Sequence, residues 1–153
     1  MSNNALGGLL AASIGVIIVV AILIIAAYIL WALAVQKVLK KLGSDMAWMA
    51  WIPILSTIAL AREADDGTGN VDVFGMSVPV NLFMFWGIAK SVLSMVPTAG
   101  GILSFAFGGI CGGVMYRTIY AKMEGRKESE MLGIGLVSGF FPIVALVKFF
   151  SYK

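Results

Sequence analysis

The chain contains no histidine and only one cysteine, and just 12% of its 153 residues are charged. Without His, the side chain that changes charge near neutrality is missing, and with it Ser–His and Cys–His nucleophile pairs and the commonest metal ligand. Cys111 has no partner for an internal disulfide. It lies in the apolar, Gly-rich run "FGGICGG", where it packs as a small hydrophobe and says nothing of redox compartment. No Asp or Glu falls inside a predicted hydrophobic span, so paired acids in a cleft are absent as well. These gaps argue against an enzyme, a cofactor and a metal site.

Apolar surface is what the chain has in abundance. It is 60% hydrophobic, with a mean hydropathy of +0.97. A soluble domain of this length cannot bury so much, which predicts an integral membrane protein with the lipid bilayer as its main partner. There is room for about four or five spans with short connections, hence one domain, 1–153. The eleven Lys and Arg flank hydrophobic runs, where such residues orient helices and meet anionic headgroups. A nucleic-acid partner has little support, and no small-molecule substrate is indicated. The opening "MSNNALGG" carries no positive charge and the apolar run from Leu6 to Val35 is too long for a signal peptide, so it reads as a retained first helix.

Hydropathy and helix-stop signals give an all-α expectation without strands: a helical membrane bundle with spans at about 6–36, 77–96, 100–120 and 130–150. Polar loops fall at 62–72 and 121–129. Ser77 is a candidate cap, Pro79 sits in the first turn of the second span and Pro97 closes it. Between the first two spans, the segment at about 44–61, "MAWMAWIPILSTIALA" in its apolar part, would extend only about 24 Å with Pro53 inside it. Trp48 and Trp51, like Trp31 at the end of the first span, have the apolar body and polar N–H of membrane-interface anchors.

The distribution of cations decides whether that segment crosses. If it does, Lys37, Lys40, Lys41, Lys90, Lys148 and Lys153 lie on the cytoplasmic side and Arg62, Arg117, Lys122, Arg126 and Lys127 outside, with no bias. If it turns back, Lys37, Lys40, Lys41, Arg62, Arg117, Lys122, Arg126 and Lys127 are cytoplasmic, leaving Lys90, Lys148 and Lys153 outward. The second arrangement follows the positive-inside tendency. It predicts four crossings, both termini outside, and a re-entrant or interfacial helix at 44–61 on the cytoplasmic face.

The stretch "LWALAVQKVLKKLGSDMAWMAWIPILSTIALA", through Trp31, Lys37, Lys40, Trp48, Trp51, Ile52, Pro53 and Ile54, resembles the signature of small bacterial multi-pass membrane proteins of unknown function. In that family a basic-ended helix is followed by a Trp and an Ile-Pro-Ile-type segment. The later "MVPTAGGI" is similar to the family's second apolar Pro-containing turn, and the resemblance extends loosely over residues 28–150. Where the family usually continues with Tyr-Asn, this chain has Leu55 and Ser56. The resemblance implies a bacterial cytoplasmic (inner) membrane and no established activity.

Several constellations within the spans carry sharper readings. Gly108, Gly109, Gly112 and Gly113 form two overlapping Gly-xxx-Gly pairs; with Gly135 and Gly139, and Ala11 and Gly15, they predict close helix contacts, within one chain or between copies. A pore lining is the alternative for 108–113. Lys90 is the one basic residue well inside a span, beside Ser91 and a turn before Ser94. A Ser–Lys nucleophile pair is conceivable there, but a lysine about 9 Å from its helix end snorkels to the headgroups. Asn81 reads as an interhelical hydrogen bonder, and "EADDGTGNVD" lacks the ligand spacing of an EF-hand and reads as a wet turn. Met46 and Met49 read as packing residues rather than soft-metal ligands. Arg126 and Glu130 are spaced to pair at i,i+4, and Pro142 should kink the last span by depriving the Ser138 carbonyl of its donor. The expectation is a non-enzymatic structural or accessory subunit that self-associates or joins a larger membrane assembly; the alternative is a small oligomeric channel or transport component with Lys90 at its outer mouth.

Overall fold

The computed structural model describes residues 3–152, with side chains from residue 13 onward, so the side chain of Ala11 and the placement of Lys153 lie outside it. The chain is mostly helical and divides into two compact units, residues 1–31 and 32–153. Helix α1 (Asn3–Lys41) runs through both. In the first unit its aliphatic side chains are exposed, from Ile29 at 40% to Ile17 at 65%. In the second unit the same helix acquires an inner face, with Ala32, Ala34, Val35, Val38 and Leu39 fully buried.

Gly43, at φ +76°, stops α1, and the Ser44 amide reaches back to the Leu39 carbonyl at 2.9 Å. The segment at 44–61 is not one short helix. It is a 3₁₀ turn (Ala47–Trp51) and a separate helix α2 (Pro53–Glu63). Pro53 disfavours helical geometry in the residue before it, so Ile52 is extended (φ −119°, ψ 116°) and Pro53 takes the first helical position, where its missing N–H costs nothing. The two pieces fold back on each other: the Arg62 guanidinium lies 3.4 Å from Met46 Sδ.

An antiparallel hairpin follows, β1 (Asn70–Val73) against β2 (Met76–Pro79), which corrects the expectation of no strands. Its two-residue turn, Phe74 (φ 53°) and Gly75 (φ 88°), needs left-handed backbone at both positions, the geometry that matches the twist of paired strands. The Gly75 N–H is fixed by Asp72 Oδ1 at 2.7 Å. Ser77 therefore caps nothing, being paired with Asp72 in the ladder, and Pro79 precedes the helix instead of sitting in its first turn.

The expected span 77–96 is likewise broken, into α3 (Val80–Phe83) and α4 (Trp86–Leu93), about 21 Å in all. After a turn at 94–99, α5 (Gly100–Glu124) runs back alongside α4, with Trp86 near Gly112 and Lys90 near Gly108. Helix α5, about 37 Å long, and the Ser13–Lys41 part of α1, about 44 Å, are the two helices long and apolar enough to cross a membrane among the described residues. Gly125, at φ +62°, ends α5, with the Arg126 amide bonded to the Ala121 carbonyl at 3.0 Å.

The last predicted span, 130–150, is also two helices, α6 (Glu128–Phe140) and α7 (Pro142–Ser151), separated at Phe141 by the same pre-proline effect. Helix α6 runs antiparallel to α5, setting Gly135 on Arg117 and Phe140 on Gly109. Helix α7 then returns, so that the Phe149 ring lies 5.8 Å from Tyr116 and 6.0 Å from Tyr120. The break is a reversal rather than a kink in a continuous crossing, and each arm, about 20 and 15 Å long, falls short of a bilayer core of about 30 Å.

Candidate functional site

Charge is segregated by the way these elements pack. Lys37 Nζ donates to the Phe150 carbonyl at 3.2 Å, Lys122 Nζ to the Glu63 carbonyl at 2.8 Å, and Lys148 pairs with Glu124 at 2.6 Å. Lys40 and Lys41 follow Lys37 in the last turn of α1, and Arg62 precedes Glu63. Arg126 pairs with Glu130 at 3.4 Å, the i,i+4 pair expected from spacing. Every described Lys and Arg except Lys90, and every Asp and Glu, therefore gathers at one end of the second unit. This corrects the expectation that Lys148 and the C-terminal residues lie opposite the 121–129 connection: the Tyr152 hydroxyl bonds Glu124 Oε1 at 3.1 Å. Burial, together with the charge of Glu124 and the hydrogen bond to it, pushes the Tyr152 hydroxyl well above its ordinary pKa.

Arg117 is the node of this end. Only 5% exposed, its Nη2 donates to the Asp72 carbonyl at 2.7 Å, to Asp72 Oδ2 at 3.3 Å and to Glu128 Oε2 at 2.6 Å. One guanidinium thus ties the β-hairpin to the start of α6. Its Nε is buried without a partner among the described residues. In "EADDGTGNVD", Asp65 Oδ1 accepts from the Gly67 and Gly69 amides and Asp66 Oδ1 from the Thr68 amide and hydroxyl. The Thr68 bonds hold the Asp66 carboxyl below its usual pKa. These carboxylates serve the turn itself, and among the described residues no group of three or more metal-ligating side chains forms.

Away from the charged end, α2 and α4 enclose a groove of about 500 Å³. Ile54, Thr57 and Ile58 line one wall; Trp86, Ile88, Lys90 and Ser91 line the other. The methyl of Thr57 lies 3.3 Å from where a Gly87 Cβ would stand. The Trp86 Nε1–H is buried with no acceptor among the described residues. The Lys90 side chain is exposed. Its stem lies across Gly108, with Cδ 2.8 Å from the position of an added Cβ. The Ser91 hydroxyl donates to the Gly87 carbonyl at 3.1 Å and the Ser94 hydroxyl to the Ser91 carbonyl at 2.6 Å, so both are engaged within α4 rather than by Lys90. Asn81, expected to bond between helices, is exposed, and its side chain makes no hydrogen bond among the described residues.

The glycines lie at contacts inside one chain. Gly108 faces Lys90 of α4, Gly112 lies between Gly139 of α6 and Trp86 of α4, and Gly109 and Gly113 face Phe140, Leu136 and Gly139 of α6. A Cβ on Gly135 would stand 2.7 Å from the Gly113 carbonyl oxygen, and one on Gly139 would strike the Gly109 carbonyl. Within the chain these faces meet side chains and backbone. Gly15, in contrast, has nothing within 4 Å of an added Cβ. Trp48 and Trp51 are exposed, and Trp31, the last residue of the first unit, is half-buried.

Sequence reasoning missed the role of Arg117, whose partners are 45 residues upstream and 11 downstream, and the bond from Tyr120 to Ser138 at 2.8 Å. The available signal was Arg117 itself, a cation inside the run assigned to a span, with the only nearby acids in flanking polar segments. Comparison with family models, with curated proteins and with solved structures finds no match.

Proposed function

We propose that this chain is a small multi-pass protein of the bacterial cytoplasmic membrane that acts, without catalysis of its own, as a structural or accessory subunit in a larger membrane assembly. The observation that carries the reading is the separation of charge from apolar surface: ionised groups collect at one end, and the flanks carry exposed Ile, Leu, Val and Phe. Such an arrangement suits a bilayer whose cytoplasmic face receives the cations. In this reading the Met46–Glu63 and Glu128–Ser151 hairpins enter from the cytoplasmic face and return to it. Ile52 and Phe141, at the two proline breaks, are 44% and 60% exposed, and since non-helical backbone at membrane depth needs protein around it, a neighbouring subunit is what would cover them. The outer face of α7, where Ile143 and Val147 are 64% and 65% exposed beside Ile134, supplies an apolar groove for a neighbouring helix.

Extraction of the native membrane in a mild detergent, followed by mass measurement and identification of co-purifying chains, tests this. The expected result is a particle heavier than one chain with its detergent, disrupted by Val147→Lys. A monomer that leaves the membrane alone would refute the subunit role.

A further inference from the structure

Among the described residues of the second unit, Lys90 is the one charge that is separated from all the others. Its stem crosses Gly108 about 12 Å along α5 from Gly100, while every Asp and Glu lies at the opposite end. No described acid can neutralise it. Lys90 is exposed, and in the membrane reading above an ammonium facing lipid at that level, beside Ile54, Ile58 and Ile88, is unfavourable unless an anion accompanies it. The neighbouring groove, about 500 Å³, falls in the range of small-molecule sites, and Ile54 and Ile88 are exposed at 64% and 48%. A second copy in parallel orientation brings no carboxylate to this level. A soluble anion would satisfy the ammonium and leave the apolar wall bare. A species that is both anionic and apolar satisfies both.

We infer that the α2–α4 groove binds one anionic phospholipid, its phosphate paired with the Lys90 ammonium and an acyl chain lying along Ile54 and Ile58. The inference rests on the membrane reading above. It also explains Gly108: a side chain there would displace the lysine stem from the slot that carries it across α5.

The test uses the full chain purified in neutral detergent and exposed to phosphatidylglycerol or to phosphatidylcholine with identical acyl chains, with retained lipid read by native mass spectrometry. The wild type should retain phosphatidylglycerol in preference. Lys90→Gln should lower that retention on the order of tenfold, the loss of one charge-assisted contact, while Lys90→Arg keeps it and Lys40→Gln leaves it unchanged. Equal retention of the two lipids, or undiminished retention by Lys90→Gln, overturns the inference. Displacement of the lipid by millimolar inorganic phosphate would also overturn it, in favour of a small-anion site. A chain found in the soluble fraction of cells would defeat the membrane reading itself; a membrane-bound chain with no lipid preference defeats this inference alone.

Discussion

Two alanine substitutions on one helix should have opposite effects. Gly133 and Gly135 both lie inside α6, and in a solvated helix replacing Gly by Ala gains about 1 kcal/mol. An added Cβ on Gly133 meets nothing within 4 Å, so that gain should be kept. On Gly135 it would stand 2.7 Å from the Gly113 carbonyl oxygen and 2.8 Å from the Arg117 amide nitrogen. Those are backbone atoms of α5, which cannot rotate away as a side-chain tip can. Overpacking of this kind costs about 1–3 kcal/mol, and the rigid neighbours favour the upper end. Gly135→Ala should therefore lose about 2 kcal/mol net, some 3 kcal/mol apart from Gly133→Ala. Helicity followed by circular dichroism, as the mole fraction of dodecyl sulfate rises in mixed micelles, reads both. If the two variants unfold within about 0.5 kcal/mol of each other, the intrachain α5–α6 contact described here is wrong.

Arg117→Gln and Glu128→Gln should each destabilise the chain by about 2 kcal/mol, and the double variant by clearly less than their sum, with a coupling on the order of 1–3 kcal/mol. Additivity in the same unfolding assay would mean that the 2.6 Å ion pair contributes nothing. For Asp66, Thr68→Val removes the hydroxyl bond that most favours the ionised form, so its titration, followed by NMR of the carboxyl carbon, should move up toward the ordinary 3.8. Since the folded pKa lies below the unfolded one, the order of the 65–69 turn is fully supported above the unfolded pKa and is lost as pH falls through the folded one. A wild-type Thr68 amide that keeps its hydrogen-bonded chemical shift throughout the Asp66 titration would contradict that sign.

Much of the helical content was legible because long apolar runs leave few alternatives, and α1 and α5 follow it closely. The interruptions were less legible for a local reason. Pro53 and Pro142 were visible, but whether a proline kinks a helix or reverses the chain depends on what receives the following segment. For α7 that is the Tyr116 and Tyr120 rings, more than 20 residues away. The β-hairpin escaped because its strands have four residues each and its turn begins with Phe74, a residue with no preference for positive φ. The glycine pattern 108–113 carried a contact signal, but the faces divide between α4 and α6, which only the packing reveals. For Lys90, spacing along α4 suggested an exit to the headgroups, and the contact of its stem with Gly108 is visible only in the packing.

The central claim is that all the charged connections, including the chain's last helix, share one side of the membrane. Single cysteines placed at Asp66, Lys127, Ser151 and Thr98 in a Cys111→Ser background, and probed with an impermeant thiol reagent on intact and opened cells, measure it directly. The account predicts that positions 66, 127 and 151 react only after opening and that position 98 reacts from outside. Reaction of position 151 together with 98 in intact cells, or of 66 and 127 from opposite sides, would contradict it.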